Sequence, residues 1–111
     1  MRLKNERENF FEQKEVRNGK EIFSSIFSSR GIKIKRIISK GYKTPETKWL
    51  KDNTDEFVIL LKGSASIKFF NGEIKKMKRG DYIHIPPGTK HKVIYTSKKP
   101  CCYWLAIHFK R

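Results

Sequence analysis

The chain reads as an all-β domain, a sandwich or a barrel, and three observations predict it. After residue 21, apolar side chains recur in short runs bounded by Gly, Pro, Asn or Asp, which gives about seven strands at near-regular spacing. No stretch carries an amphipathic helical pattern long enough to connect parallel strands. Asn71-Gly72 sits between two strand-like segments and is the strongest short hairpin signal in the chain.

Taken in order, Asn5 to Phe11 admits one or two helical turns. Glu21 to Phe27 is ambiguous from its residues. Ile22, Phe23, Ile26 and Phe27 fit helical spacing, whereas Phe23, Ser25 and Phe27 fit alternation. Ile32-Lys33-Ile34-Lys35 alternates with period two, as a half-buried strand does, and runs through Arg36-Ile37-Ile38 to Gly41. Glu56 to Leu61 is a short apolar run ended by Gly63, which predicts a buried strand. Ser64 to Phe70 and Glu73 to Lys78 form the two arms of the Asn71-Gly72 hairpin. Arg79-Gly80 breaks the second arm, and Asp81 to Ile85 begins the next strand. Pro86 and Pro87 cannot donate to a central ladder and Gly88 permits positive φ, so the chain turns before His91 opens a strand to Thr96. Ser97-Lys98-Lys99-Pro100 is a turn, and Tyr103 to Phe109 is the last strand.

At 111 residues without internal repeat or low-complexity linker, the chain suits one core. The expected organisation is one domain, with an N-terminal arm and first strand over 1–31 and a barrel over 32–111. Cys101 and Cys102 are adjacent and close a disulfide only with strain, so a stapled secreted scaffold is not expected. Met1 to Phe11 lacks an apolar signal-type core, and no run approaches the ~20 apolar residues of a membrane-spanning helix. These features predict a soluble, cytoplasmic protein with no membrane partner.

Charge is unusual: 26 Lys and Arg stand against 11 Asp and Glu. Residues 1–21 hold six basic and five acidic side chains, so the excess belongs to the barrel. Such a field attracts nucleic acid, anionic lipid or phosphorylated ligands. Nineteen of the basic residues are Lys, scattered singly at positions such as Lys33, Lys35, Lys62, Lys68, Lys75 and Lys92, the pattern of solvated strand faces. No RNA-binding or helix-turn-helix pattern occurs, so a nucleic-acid partner is not the leading expectation.

Gly80 to His91 carries the most specific spacing: a Gly, five residues, Pro-x-Gly, two residues and a His, falling on Gly80, Pro86, Gly88 and His91. This resembles the second motif of the cupin superfamily, with Tyr95 where that motif usually has Asn. The first motif is degraded. Glu56 and Gly63 keep its Glu-x6-Gly ending, but the expected His-x-His positions fall on Thr47 and Trp49, or on Trp49 and Lys51, depending on the register. Trp49 to Gly63 and Trp104 to Phe109 are similar to a group of small single-domain cupins without the His pair. The resemblance covers about residues 32–109 and implies a jelly-roll barrel, the double-stranded β-helix, with a short N-terminal arm and a strand for Glu21 to Phe27.

In the family, three His and one Glu typically hold a first-row metal, leaving open positions for a ligand. The resemblance implies Glu56 and His91 as metal ligands. Asp52, four residues before Glu56, and His108 on the last strand complete a set if both reach inward. Lys51 at a ligand position repels a cation and suits an anion. Each candidate also has a structural reading: His91 as a hydrogen-bonded strand opener, Glu56 as a carboxylate paired with Lys, and His84 beside Tyr82 as a solvent-facing side chain. Trp49 and Trp104 are core or mouth aromatics. Cys101 and Cys102 lack a catalytic partner, and no phosphate loop or nucleophile elbow is present.

The leading expectation is a small, anionic ligand in the barrel cavity, contacted by Trp49, Lys51, Glu56 and His91 with little or no metal. The first alternative is a metal-dependent oxygenase or isomerase using a divalent transition metal on Glu56, His91, Asp52 and His108. The second is a basic nucleic-acid-associated or regulatory module. Phe10, Phe11, Phe23 and Phe27 supply a packing element for an expected homodimer. No residue is assigned a catalytic role at this level.

Overall fold

In the computed structural model, which describes residues 7–12 and 14–111, alternation is converted into two antiparallel sheets. The strands are β1 (Lys20–Ser29), β2 (Ile32–Lys40), β3 (Asp55–Lys62), β4 (Ala65–Phe69), β5 (Ile74–Met77), β6 (Tyr82–Ile85), β7 (His91–Thr96) and β8 (Cys102–Phe109). The large sheet has the order β1-β2-β8-β3-β6 and the small one β5-β4-β7. The ambiguous Glu21–Phe27 segment is a strand, paired with β2 through Ile22↔Ile38 and Phe23↔Ile37. Around Asn5–Phe11, Asn5 and Glu6 lie outside the described residues, and the rest holds a turn at Phe10-Phe11 rather than a helix.

The sheets close face to face on Val58, Leu60, Trp104 and Ala106 from one side and Ala65, Ile67 and Met77 from the other. These side chains alternate with outward ones along each strand, so one apolar layer fills the interior. A second cluster lies on the outer face of the large sheet. Val16, Ile38 and Tyr103 are buried there, with Phe10 and Ile22 packed against them, so the arm covers part of that face. Arg36, only 7% exposed, secures the arm by donating from Nη1 to the carbonyls of Phe10 and Glu12 at 2.9 and 3.4 Å. Burying a guanidinium is tolerable when its protons are accepted in this way.

The β2–β3 connection is held along β7 instead of looping free. Thr44 N donates to Val93 O, Val93 N donates to Thr44 Oγ1, and Leu50 exchanges both main-chain hydrogen bonds with His91. This pins residues 49–52 over one end of the barrel. Cys101 and Cys102 are free thiols, and no helix among the described residues is long and apolar enough to cross a membrane.

Gly63, between β3 and β4, has φ +88, and a Cβ there would lie 2.8 Å from Ser97 Oγ, 2.9 Å from Cys102 Sγ and 3.0 Å from Cys101 O. Gly72 at the hairpin tip has φ +93 with nothing within 4 Å of its would-be Cβ. Gly63→Ala therefore suffers backbone strain and crowding together, and we expect a loss of about 2–4 kcal/mol, against roughly 1 kcal/mol for Gly72→Ala. Urea melts of the two variants check this, and equal losses would refute the crowding.

Candidate functional site

β3 and β8 are neighbours in the large sheet, and Glu56 stands opposite His108. Directly paired residues share a face, and the next pairs on that face, Val58↔Ala106 and Leu60↔Trp104, lie in the core. Glu56 and His108 consequently point inward. His91 enters from the small sheet, placed by the Pro86-Pro87-Gly88 turn, which is tied to the β2–β3 connection by Gly88 N donating to Asp52 O at 2.8 Å.

Four chemistry-bearing side chains converge. His91 Nε2 lies 3.8 Å from Glu56 Oε1, His108 Nε2 lies 3.5 Å from Glu56 Oε2, and His108 Nδ1 lies 3.6 Å from Asp52 Oδ2. Each separation exceeds a good hydrogen bond. His91 Nδ1 donates to Thr89 O at 2.9 Å, which in the neutral ring leaves Nε2 as a lone pair facing Glu56. Asp52, Glu56 and His108 each offer one ligand atom, all within 4.8 Å of one another. Two donors bound about 2.1 Å from one first-row ion are themselves roughly 3–4 Å apart, a spacing met by His108 Nε2 with Glu56 Oε2 and by His91 Nε2 with Glu56 Oε1, whereas Asp52 approaches the other nitrogen of His108.

Burial holds the Glu56 carboxyl above its usual range; the charge on His108 opposes this, Asp52 reinforces it, and Lys35 opposes it more weakly. A carboxyl in that condition either exchanges a proton near its raised pKa or accepts a cation that relieves its desolvation.

The cavity over these groups measures about 270 Å³. Val58, Ile67, Ile85, Val93 and Trp104 form its apolar wall, and Lys35 and Lys51 line it as cations. Lys51 is exposed while Lys35 is half-buried. Trp104, 4% exposed, serves at once as core and as cavity wall.

Trp49 is not among the cavity-lining residues, which departs from its expected ligand contact. The Leu50–His91 bridge turns Leu50 toward the cavity and Trp49 away from it. Its ring meets Phe70 edge-on at 5.1 Å and covers the Lys92 ammonium, 4.2 Å from the ring centroid. A second polar group is not evident from the residues alone. Glu21, Ser39 and Tyr42 also line the cavity, with Ser39 Oγ donating to Glu21 Oε1 at 3.4 Å. Burial raises the Glu21 pKa, with Ser39 and Tyr42 opposing. Alternation of Glu21 with Phe23 was the available signal, but it needed the β1–β2 register to acquire a direction.

Asp55, one residue before Glu56, faces the other way. It is 1% exposed, accepts from Arg111 Nε and Nη2 at 2.9 and 2.8 Å, and lies 2.7 Å from His84 Nε2. His84 stacks on Phe57 at 5.4 Å on this outer face, so it is a partnered side chain and not merely a solvent-facing one. Arg111, then His84, hold the Asp55 pKa below the ordinary value.

Neighbouring carboxylates thus carry opposite linkage to folding. Asp55 contributes stability that is present above the ordinary Asp pKa and lost as pH falls through its lowered folded value. Glu56 retains its proton to higher pH when folded, so its contribution is favourable in acid and declines as pH rises through the ordinary Glu pKa to the raised one. Asp55→Asn is expected to lower the urea midpoint at neutral pH, and Glu56→Gln to raise it. Urea melts between about pH 3 and 8 read both effects, and shifts of the same sign would refute the assignment.

Likeness to known proteins agrees with the two-sheet fold. A family model for the cupin domain matches residues 38–108. No curated protein matches the chain. Among solved structures, a candidate mannose-6-phosphate isomerase from Ralstonia eutropha JMP134 is 33% identical, with a TM-score of 0.88 and coverage of 96% of this chain and 99% of that one. An RmlC-like cupin protein from Desulfovibrio desulfuricans is 17% identical, with a TM-score of 0.73 over 93% of this chain and 95% of that one. A cupin superfamily protein from Desulfitobacterium hafniense DCB-2 is 16% identical, with a TM-score of 0.73 over 87% of this chain and 84% of that one. The latter two share the fold alone. From the matched domain, the two-sheet barrel and the full-length likeness at 33% identity, the chain is a member of the cupin family.

Proposed function

We propose that the barrel cavity binds a small anionic ligand, with Lys35 and Lys51 meeting its charge and Glu56, His91 and His108 meeting its hydroxyl groups. The observation that carries this reading is the cavity of about 270 Å³, which combines an apolar wall and two lysines with two carboxyls whose pKa values are raised, Glu21 and Glu56, and with Asp52. Few convergent polar groups in a mostly apolar concavity are the usual make-up of a ligand site. The full-length likeness to a candidate mannose-6-phosphate isomerase makes a sugar phosphate the first ligand to try. For a reaction of the isomerase type, Glu56 is the group on this chain suited to accept and return a proton. Titration of mannose 6-phosphate and of mannose is read by Trp104 fluorescence in a Trp49→Phe background. We expect the phosphate ester to bind, Lys35→Ala to weaken it about tenfold, as for loss of a partly buried charge contact, and the exposed Lys51→Ala to weaken it about threefold. Equal binding of mannose and its phosphate would overturn the anionic reading.

A metal-assisted version is favoured by one specific observation, the approach of Asp52, Glu56 and His108 donor atoms within 4.8 Å, with His91 Nε2 3.8 Å from Glu56. A divalent ion held there would polarise a ligand oxygen. Cobalt(II) titration, followed by visible absorption, tests it on protein purified without an affinity tag. We expect near-stoichiometric binding, lost at least about tenfold in Glu56→Gln and in His108→Ala. Undiminished binding in both variants would place the metal elsewhere.

We also propose that a second copy of the chain pairs along β1. That strand is the outer edge of the large sheet, and Phe23, Ile26 and Phe27 on it are 59%, 52% and 51% exposed. An open edge bearing large apolar side chains favours pairing with another strand. Light scattering should give about twice the 13.2 kDa chain mass, and Phe27→Lys should return it toward one chain. A single-chain mass for the unmodified protein would refute the pairing.

A further inference from the structure

On the outer side of the large sheet, a second cavity of about 390 Å³ lies between the arm and the ends of three strands. Lys14, Lys40, Lys62, Lys98 and Lys99 line it, against a single carboxylate, Glu15. The β-pairing brings them together. Tyr103 is the cross-strand partner of both Ile38 and Lys62, and Lys40 lies two residues beyond Ile38, so these side chains share the outer face. The Lys62 ammonium lies 5.5 Å from the Tyr103 ring centroid, and the Lys98 stem lies against Gly41. The turn before β8 adds Lys98 and Lys99, and the arm adds Lys14.

None of these five ammonium groups is ion-paired with a carboxylate among the described residues. Elsewhere on the strands Lys75 pairs with Glu73 and Lys92 donates to Glu46 O, but here like charges surround one concavity, where their fields add. That arrangement raises the energy of the empty cleft and lowers that of a multivalent anion within it. Lysine binds phosphate as a point charge that several oxygens can share, and the volume falls in the range of roughly 300–1,000 Å³ typical of small-ligand sites. We propose that this cleft binds a compact polyphosphate, either the inorganic ion or the phosphate tail of a nucleotide. Such a ligand would bridge Lys14 on the arm and Lys62 on β3.

The test is calorimetric titration of the full chain with inorganic triphosphate, ATP and orthophosphate at constant ionic strength. Two triple variants remove the same charge: Lys62→Ala/Lys98→Ala/Lys99→Ala in the cleft, and Lys75→Ala/Lys76→Ala/Lys90→Ala on the small-sheet side of the barrel. We expect triphosphate to bind more tightly than orthophosphate, to weaken at least about tenfold in the cleft variant, and to change less than about twofold in the other and in Lys51→Ala. ATP matching triphosphate identifies the phosphate chain as the recognised group; tighter ATP binding adds a nucleoside contact. Equal weakening in both triple variants, or loss in Lys51→Ala, would overturn the proposal in favour of a diffuse field or of the barrel cavity. So would an absence of triphosphate binding, or a mixed-sequence DNA oligomer that binds more tightly and is equally weakened in both triple variants. Should the triple cleft variant fail to fold, Lys98→Gln alone, at an exposed position, should still weaken triphosphate severalfold; no change there overturns the proposal.

Discussion

Glu56 faces His108 across the β3–β8 pair, and the parity of that pair governs which side chains enter the barrel. A slip of one residue would place Asp55 and Phe57 inside and send Glu56 out, since strand side chains alternate strictly. Two features oppose such a slip. Val58 and Leu60 would exchange a packed core for the outer face, leaving Trp104 and Ala106 without their partners, and Asp55 would leave the paired donors of Arg111. The outer ionic contact is therefore coupled through the backbone to the inner chemistry, although it touches none of it.

The cavity itself is a compromise between folding and chemistry. Glu21 and Glu56 both have burial-raised pKa values, which means both cost stability when ionised. Compensation comes from the rest of the fold: the apolar layer between the sheets, part of which is the cavity wall, the arm over Ile38 and Tyr103, and, among the described residues, buried side-chain polar atoms that all have partners. Local cost at a site with global support is the usual arrangement in proteins that hold reactive groups.

Strand by strand, the architecture was legible. Alternation in Ile32–Lys35, the Asn71-Gly72 hairpin and the Pro86-Pro87-Gly88 break all encode local geometry, and all correspond to elements of the structure. The site was legible only in part. Glu56 and His91 stood out through spacing, whereas the inward direction of His108 depended on which strand lies beside β8, a non-local fact. Glu21 was hidden for the same reason, and the Asp55–His84–Arg111 contact joins three segments with no common motif. Trp49 misled because proximity in sequence to a ligand-bearing segment says nothing of parity, which the Leu50–His91 bridge decides.

Arg36 grips the arm by the main-chain carbonyls of Phe10 and Glu12 and by no side chain of theirs. Recognition of that kind reads the path of a polypeptide and is indifferent to its letters. At those two contacts the identity of the arm residue is immaterial so long as the trace is kept, while the side chains of Phe10 and Val16 are fixed separately by their packing on Ile38 and Tyr103. The guanidinium thus fixes where the arm runs, and the apolar packing fixes which side chains it lays on the sheet.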